Sequence, residues 1–482
     1  MTFTVVTKPT LLCLIVALTL PLSGQTKADL PDLGGNAFST ISTEKEKQLG
    51  DVMARETRGS LPMVYDPLLD EYINAIGNRL VSRANDVKFP FKFHWVNDKN
   101  INAFATLGGN ITSHTGTLAI ADSESEFASV MAHEIAHVTQ RHIARFFEAR
   151  NQQAPITLAG MLGAIILATV NPEAGMAALM ATQGASAQSA INFTRGNEQE
   201  ADRIGMTIMV EAGFDPYAVP NFFRKLTEQS RFLNQQLSFL QTHPLSQSRV
   251  SDTRLRAEQF PQRFIPDSQD FTLSKARVLA RYHYDKADAE IVFRKKLTEP
   301  SGNTKANQYG LAIALLDNGS LDPARKLIEK LLETDEHNLY YMDVYTDILL
   351  GQKEYQRCLE LLEQQYLLRP NNQVVTLNYA NVALVSGAHR LAIHLLKSLL
   401  FYKSDNVLAY GLLADAYKAA GDMAKFYEAR ADLNYQYANY PRAIDDINEA
   451  LNHLKTEEKL ENRRLEAKKR QLQTEFDRLR RM

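Results

Sequence analysis

The second half of the chain has a pattern of small and apolar positions that repeats every 34 residues. Two series of positions follow this period, with glycines between them. The series are Ala312, Thr346, Ala380 and Ala414, then Ala324, Cys358, Ala392 and Phe426, and the glycines are Gly319, Gly387 and Gly421. Small residues recur where two helices approach closely, so the pattern predicts repeated pairs of helices joined by turns.

A helix-turn-helix unit of this length is the tetratricopeptide signature. Pro370 fits the closing turn of such a unit, whereas Thr346, Cys358 and Phe426 replace alanines of the consensus. We expect an all-α tetratricopeptide-repeat solenoid over residues 266–450, with a weaker unit at its start and a half unit at its end. Solenoids of this kind bind protein segments on a concave face and rarely carry out chemistry.

Residues 451–482 are rich in charge, with 10 Lys and Arg against 6 Asp and Glu. Apolar positions are sparse in this stretch, which predicts a charged helix that caps the solenoid. A basic surface for an acidic partner or for lipid headgroups is the alternative.

The chain begins with a short apolar run, residues 11–20, which follows one lysine and precedes small and polar residues. The run is too short to span a bilayer, which takes about 20 apolar residues. The pattern predicts a signal peptide over residues 1–28, cleaved after Ala28 with Thr26 at the −3 position, and therefore export. An uncleaved membrane anchor is the alternative.

Composition is that of an ordinary soluble protein, with 45% hydrophobic and 23% charged residues and a formal net charge of −2. Basic and aromatic residues do not interleave, so nucleic-acid binding is not expected. Loss of Cys13 with the signal peptide would leave Cys358 alone, without an internal disulfide. Prolines and polar residues interrupt the helical pattern at 258–270, and a chain of 482 residues is expected to have two domains.

Residues 156–193 are apolar and rich in small residues, and Asn171, Pro172 and Glu173 divide them into two halves. Neither half reaches the roughly 18 uninterrupted apolar residues of a spanning helix. In an exported protein we expect helices that lie over an active-site cleft or contact a membrane surface. Spanning helices and plain core helices are the alternatives.

The segment HEIAH, residues 133–137, places a glutamate between two histidines that are four positions apart. On a helix, His133 and His137 share a face and can direct both imidazoles at one metal ion, with Glu134 beside it as a general base. Zinc suits the pair because it accepts neutral imidazole nitrogen, keeps an open position and acidifies a bound water. A core helix that happens to carry two histidines is the plain alternative.

A catalytic zinc needs a third protein ligand. His142 is five positions past the second ligand histidine, about 140° round a continuous helix, so it is predicted to face solvent. The segment NEQEADRIG offers Glu198 as a carboxylate ligand and Asp202, on the same helical face, as an acceptor that orients a ligand histidine. Glu200 is predicted to point away from both.

Four ordered motifs together resemble the gluzincin endopeptidases related to the CAAX prenyl protease. They are HEIAH, NEQEAD, the segment NAFATLGGNITSHTGTLAIA at 102–121 and THPLSQSR at 242–249. In that family the segment at 102–121 corresponds to paired strands, and here a Thr-Leu pair replaces the family's Leu-Pro. The resemblance implies one Zn²⁺ per chain and an α+β zincin-type metallopeptidase domain over residues 29–265, followed by the solenoid.

The THPLSQSR motif implies that His243 and Arg249 reach the site. His243 is either a resting fourth zinc ligand that keeps the protease idle or a group that stabilises the oxyanion of the tetrahedral intermediate. Arg249, which is always charged, serves the oxyanion in either case. The strands at 102–121 would offer an unpaired edge to an extended peptide, so unfolded chains are the expected substrates.

The order of export signal, zinc endopeptidase and solenoid resembles a family of periplasmic proteases that act on outer-membrane β-barrel proteins. The resemblance implies that the chain promotes β-barrel assembly and degrades misassembled proteins, with unfolded or stalled outer-membrane proteins as substrates. It also implies contact with the β-barrel assembly machinery through the repeats, and a periplasmic location at the periphery of the outer membrane. The rival hypothesis is a non-catalytic chaperone or scaffold with a structural zinc site, which would not need Glu134.

Overall fold

The first half of the folded chain combines a small sheet with helices. The computed structural model describes residues 41–151, 187–233, 237–300 and 304–480. The strands are β1 (Lys92–Val96), β2 (Ala103–Ala105) and β3 (Asn110–His114). The helices described in this half are α1 (Thr43–Ser60), α2 (Pro67–Val81), α3 (Thr115–Ile120), α4 (Glu124–Thr139), α5 (His142–Asn151), α6 (Ala187–Glu211), α7 (Ala218–Leu233), α8 (Ser238–Thr242) and α9 (Gln247–Ala257).

The three strands form one sheet in the order β1-β3-β2. β1 is parallel to β3, with Trp95 opposite Ser113, and β2 is antiparallel to β3, with Phe104 opposite Thr112. Trp95 is buried and stacks on Phe127 of α4 with a ring-centroid distance of 5.5 Å. The helix that carries HEIAH therefore packs against the sheet, and β2 is an edge strand that contacts it.

The expectation of paired strands over residues 102–121 is correct only as far as His114, because Thr115–Ile120 form α3. The Thr117 hydroxyl donates to the Asn102 carbonyl at 2.7 Å and accepts from the Asn102 N–H at 3.1 Å. These bonds take the place of a continued strand ladder. The expectation rested on the family resemblance, and the periodicity of the short apolar run could not correct it, because such a run fits a strand and a buried helix equally well.

The turn between β2 and β3 is a 3-10 turn, Leu107–Gly109, in which Gly108 and Gly109 have φ values of 72° and 84°. Gly50 of α1 lies against this turn, and a Cβ there would come within 2.2 Å of the Leu107 carbonyl oxygen. Glycine at these positions lets the turn adopt a left-handed backbone and lets α1 pack directly on it.

The second half is helical throughout the residues described. Its helices are α10 (Gln269–Val278), continued by a π-helical turn (Leu279–His283), α11 (Lys286–Thr298), α12 (Thr304–Asp317), α13 (Leu321–Leu332), α14 (Leu339–Gly351), α15 (Tyr355–Leu368), α16 (Gln373–Val385), α17 (His389–Tyr402), α18 (Val407–Ala419), α19 (Met423–Gln436), α20 (Tyr440–Asn452) and α21 (Lys459–Arg480). Residues 258–268 contain neither helix nor strand, and the predicted domain boundary at residue 265 falls among them.

The period of 34 residues corresponds to pairs of helices that pack in chain order. All eight residues of the two series are buried. Gly319, Gly387 and Gly421 have φ values of 80°, 87° and 79°, and Lys353 takes the corresponding turn position with a φ of 61°. Cys358 is buried and forms no disulfide with any residue that the structure describes. The predicted fold class, an α+β part followed by all-α repeats, is confirmed.

The charged C-terminal helix begins later than the predicted span of 451–482. Helix α20 continues to Asn452, and α21 begins at Lys459. Leu465 and Leu472 of α21 are buried against the apolar face of α20. The helix therefore covers the apolar face of α20.

Buried or half-buried ion pairs join the two halves of the chain. Asp66, the N-cap of α2, lies 2.5 Å from Arg277 of α10, and Arg277 lies 2.8 Å from Asp343 of α14. Arg55 of α1 lies 2.7 Å from Glu475 of α21. The α+β half thus contacts both the first and the last helices of the repeat half.

Two of the predicted segments cannot be followed in the structure. The predicted signal peptide, residues 1–28, lies outside the described residues, and so do residues 156–186 of the apolar segment. The end of that segment forms the start of α6. In the part of the chain that is described, no helix is both long and apolar enough to cross a membrane.

Candidate metal centre

Helix α4 carries the HEIAH segment into the core. Ser123 is its N-cap and accepts a hydrogen bond from the Glu126 N–H at 3.2 Å, while the Glu126 carboxylate accepts one from the Asp122 N–H at 2.8 Å. This pattern is of the capping-box type, which fixes where a helix begins. Almost every residue of α4 after this cap is buried, so its histidines lie inside the protein.

Helix α6 crosses α4 at close range. A Cβ at Gly205 would lie 3.1 Å from the carbonyl carbon of Ala132 and 3.1 Å from the amide nitrogen of His133. A larger residue would therefore push the two helices apart. Glu198 and Asp202 precede this glycine on one face of α6, and both are buried. The close crossing brings their carboxylates to the histidines of α4.

Four side chains converge at this crossing. His133, His137, Glu198 and His243 each offer one donor atom, and these atoms all lie within 4.8 Å of one another. The Nε2 atoms of His133 and His137 are 3.0 Å apart, and the Glu198 oxygens lie 3.4 and 3.5 Å from them. His243 Nδ1 lies 3.2 Å from each Glu198 oxygen. We call these four residues the four-donor cluster.

Asp202 lies behind His133, with Oδ1 3.0 Å from Nδ1 of that ring. A carboxylate in this position accepts the ring proton and leaves Nε2 free for a metal ion. Arg249 donates to both oxygens of Asp202, at 2.6 and 2.8 Å, and its Nη1 lies 2.8 Å from Glu198 Oε2. Arg249 thus contacts the carboxylates, and its role toward an oxyanion stays a prediction that would require other contacts.

Glu134 lies beside the cluster and is only 1% exposed. Its Oε1 is 3.4 Å from Nε2 of His243. Burial raises the pKa of Glu134 above its ordinary value, against the opposing effect of His243 and His133. A carboxyl group with a raised pKa is suited to take up and release a proton near neutral pH.

Within the cluster the pKa values shift in opposite directions, and burial lowers that of His137 well below its ordinary value. Burial alone would lower the pKa of His133, but hydrogen bonds with Asp202 and Glu198 outweigh it and raise that pKa to about 10. Burial also opposes ionisation of Glu198, yet His243 and His133 hold the pKa of its carboxyl well below the ordinary value. Imidazole nitrogens and a buried, ionised carboxylate within reach of one point are the donor set of a zinc site. The residues therefore fit a metal ion.

His142 faces the protein interior, so the prediction that it faces solvent is wrong. Its Nδ1 is 2.8 Å from Nδ1 of His137, and its Nε2 is 3.1 Å from Oε2 of Glu200. The prediction assumed a continuous helix, but α4 ends at Thr139 and Arg141 has a φ of 52°, which redirects the chain before α5. Glu200 does point away from the four-donor cluster, and it reaches His142 instead.

The family of the chain follows from its similarity to known proteins. Residues 67–257 match peptidase family M48. The β-barrel assembly-enhancing protease of Escherichia coli (strain K12) is 41% identical over 455 residues, which cover 92% of this chain and 92% of that protein. The putative β-barrel assembly-enhancing protease of Vibrio cholerae is 39% identical over 445 residues, with the same coverage of 92% on both sides. The mitochondrial metalloendopeptidase OMA1 of Schizosaccharomyces pombe is 26% identical over 218 residues, 44% of this chain and 61% of that protein. The chain is therefore a metalloprotease that belongs to the family of the β-barrel assembly-enhancing proteases.

Proposed function

We propose that this metalloprotease is a periplasmic zinc endopeptidase that promotes the assembly of outer-membrane β-barrel proteins and degrades those that misassemble. One observation carries the proposal. The alignment with the β-barrel assembly-enhancing protease of Escherichia coli covers 92% of both chains, so it includes the repeats as well as the peptidase part. The sequence pattern of a signal peptide at residues 1–28 supports a location outside the cytoplasm.

His133, His137 and Glu198 would hold the zinc ion, since two imidazole nitrogens and one carboxylate oxygen are a donor set of catalytic zinc sites. Zinc bound there would supply a Lewis acid that polarises the scissile carbonyl and acidifies a water molecule. Asp202 fixes the ring of His133 from behind, and Arg249 fixes Asp202 and Glu198. The protein residues thus keep the three donors in place before the metal binds.

Glu134 is the general base of the proposed reaction. It takes the proton of the attacking water and delivers it to the nitrogen of the leaving amine, which completes peptide-bond hydrolysis. Its raised pKa suits this shuttle, because the protonated form must be accessible during the cycle. The carboxylate is buried beside the cluster, so bulk water does not compete for the proton.

The edge strand β2 is the proposed substrate-binding element. The Thr106 N–H donates to the Asn110 carbonyl, so the backbone groups of Thr106 and Phe104 face β3. In an antiparallel pair the intervening residues face the other way, so the backbone of Ala103 and Ala105 points away from β3, where Ala103 is buried and Ala105 is partly exposed. An extended segment that adds to this edge gains main-chain hydrogen bonds without a sequence requirement. Unfolded or stalled outer-membrane proteins supply such segments.

The repeat half is the proposed contact with the β-barrel assembly machinery. Leu367 and Leu368 end α15, and Phe401 and Tyr402 end α17, one repeat later. All four side chains are between 60% and 83% exposed. Large exposed apolar side chains at equivalent positions of successive repeats suit contact with another protein or with a membrane. The same surface is compatible with a location at the periphery of the outer membrane.

The test compares the purified wild-type chain with a Glu134→Gln variant. Both proteins should contain about one zinc per chain, and only the wild type should cleave an unfolded outer-membrane β-barrel protein. In living cells, photo-crosslinkers at positions 367 and 401 should capture components of the assembly machinery. If the zinc-loaded wild type cleaves nothing and both proteins restore β-barrel assembly equally, the non-catalytic scaffold replaces the protease. If the crosslinkers capture no assembly component, the partner assignment fails while the protease assignment stands.

A further inference from the structure

The two histidines of α4 are supported in different ways. His133 has a carboxylate oxygen of Asp202 3.0 Å from its Nδ1. His137 has a second imidazole in the equivalent place, since Nδ1 of His142 lies 2.8 Å from Nδ1 of His137. The carboxylate on this side, that of Glu200, is one imidazole further from the metal centre.

Hydrogen bonds run from His137 through His142 to Glu200, and we call this series the path. Their direction follows from which ring nitrogen of each histidine carries a hydrogen. Only one of two facing Nδ1 atoms can carry the hydrogen between them. His137 keeps Nε2 free for the metal, because that atom lies in the four-donor cluster 3.0 Å from Nε2 of His133, so its hydrogen is on Nδ1. His142 then accepts at Nδ1, carries its own hydrogen on Nε2 and donates to Oε2 of Glu200 at 3.1 Å.

The outer end of the path is anchored. Nη2 of Arg145 lies 2.6 Å from the same Oε2 of Glu200 and 3.2 Å from the side-chain oxygen of Asn197. A carboxylate paired with a guanidinium stays ionised and keeps accepting from His142. The His142 side chain is itself buried. Water therefore does not replace it beside His137.

We propose that His142, held by Glu200 and Arg145, is a positioning residue that fixes the tautomer and the ring orientation of the ligand His137. The inference rests on the proposed zinc site. Loss of a group that orients a metal ligand typically weakens metal binding about 10- to 100-fold. Replacement of His142 should therefore weaken zinc binding even though its ring is not part of the four-donor cluster.

The test measures zinc affinity by competition with a chelator and the melting temperature of the metal-free protein. His142→Phe keeps a ring of similar shape but removes the acceptor, and it should bind zinc about 10- to 100-fold more weakly. His142→Asn keeps an acceptor oxygen and should lose less. His94→Phe removes an imidazole on β1, outside the four-donor cluster, and should bind zinc like the wild type. If metal-free His142→Phe melts at the same temperature as the metal-free wild type, its weaker zinc binding results from lost positioning of His137 and not from lost general stability.

Nitrogen-15 spectra of the zinc-loaded chain give a second readout. The wild type should show a protonated Nδ1 on His137 and an unprotonated Nδ1 on His142. Wild-type zinc affinity in His142→Phe, or a protonated Nδ1 on His142, would overturn the proposal. If His142→Phe does not fold, Glu200→Met removes the outer acceptor at a partly exposed position, and unchanged affinity and tautomers there would overturn it equally. A wild-type chain that binds no zinc contradicts the proposed function itself, which is a different result.

Discussion

Arg249 binds Asp202 through two parallel hydrogen bonds, from Nε at 2.6 Å and from Nη2 at 2.8 Å. Both side chains are 2% exposed. The guanidinium also lies 2.8 Å from Glu198. Arg249 thus links Asp202, which supports His133, to Glu198, which completes the donor set. Because Arg249 belongs to α9 and both carboxylates belong to α6, α9 holds the carboxylates of α6 in place.

Arg249→Lys should weaken zinc binding about 10- to 100-fold, with a parallel loss of proteolysis at limiting zinc. A lysine keeps the charge but cannot make the paired hydrogen bonds of a guanidinium, so the exchange is not conservative here. Zinc affinity measured against a chelator checks this. Arg254→Lys, on an exposed position of the same helix, is the matched control. Equal zinc affinity in both variants would show that the paired hydrogen bonds from Arg249 to Asp202 are not needed for zinc binding.

Glu198→Gln should lose both zinc and proteolysis. An amide oxygen is a weaker zinc donor than a carboxylate, and the two remaining imidazoles of α4 do not complete a catalytic site. Zinc content and cleavage of an unfolded substrate are the measurements. Glu211→Gln, at an exposed position of the same helix, should keep both. If Glu198→Gln kept full zinc and full activity, the carboxylate ligand would have to be sought elsewhere in the chain.

The helical pairs of the site could be predicted because their spacing is a local property, whereas His243 was expected there only from the resemblance of THPLSQSR to a family motif. His133 and His137, like Glu198 and Asp202, are four positions apart on continuous helices, and helical geometry alone puts each pair on one face. The repeats were predictable for the same reason, since a period of 34 residues appears directly in the sequence. Regular elements can therefore be predicted from the chain before its tertiary structure is known.

The features that were missed depend on one backbone reversal and on distant contacts. A non-glycine residue with a φ of 52°, Arg141, redirects the chain and places His142 beside a ligand, and no residue type marks that turn in advance. The pair between Arg55 and Glu475 joins residues 420 positions apart. Helix α3 stands where a strand was expected. Its apolar sequence fits either element, and the hydrogen bond from Thr117 to Asn102 depends on a contact that the sequence does not reveal.

Unfolded chains should be cleaved much faster than folded ones. Glu134 is 1% exposed, and in the proposed binding mode a substrate reaches it as an extended segment paired with β2. Peptides N-methylated on the backbone near the scissile bond should be poor substrates compared with unmodified peptides, because they cannot complete the added strand. Cleavage rates of matched peptides, and of one β-barrel protein in unfolded and folded form, test this. Rapid cleavage of a stably folded protein without flexible segments would contradict the expectation.

Arg277→Met should lower the free energy of unfolding by about 3–5 kcal/mol. Arg277 and Asp66 are each 3% exposed and 2.5 Å apart, and removal of the cation leaves buried carboxylates without their partner. Urea unfolding measures the change. Arg294→Met, whose side chain is 56% exposed and pairs with Glu290 of the same helix, should change stability by no more than about 0.5 kcal/mol. A similar small change in both variants would mean that the ion pair between the halves contributes little.

His243→Ala should raise basal self-cleavage if His243 is a resting fourth ligand. Its Nδ1 lies 3.3 Å from Nε2 of His133 and 3.2 Å from both oxygens of Glu198, in reach of any metal that these residues bind. A fourth protein donor would fill the position where water must bind for catalysis. Its removal would open that position and activate the protease.

The competing role predicts the opposite sign. If His243 stabilises the oxyanion, His243→Ala should lower cleavage roughly a hundredfold or more. Self-cleavage rates at equal zinc content distinguish the two, with Glu134→Gln as the inactive reference. The ring of His243 stacks on Phe239 at a centroid distance of 4.8 Å, so Phe239→Leu should loosen the histidine and release part of the same activity. A His243→Ala protein that is less active than the wild type would reject the resting-ligand role, because a donor that only blocks the metal cannot be needed for turnover.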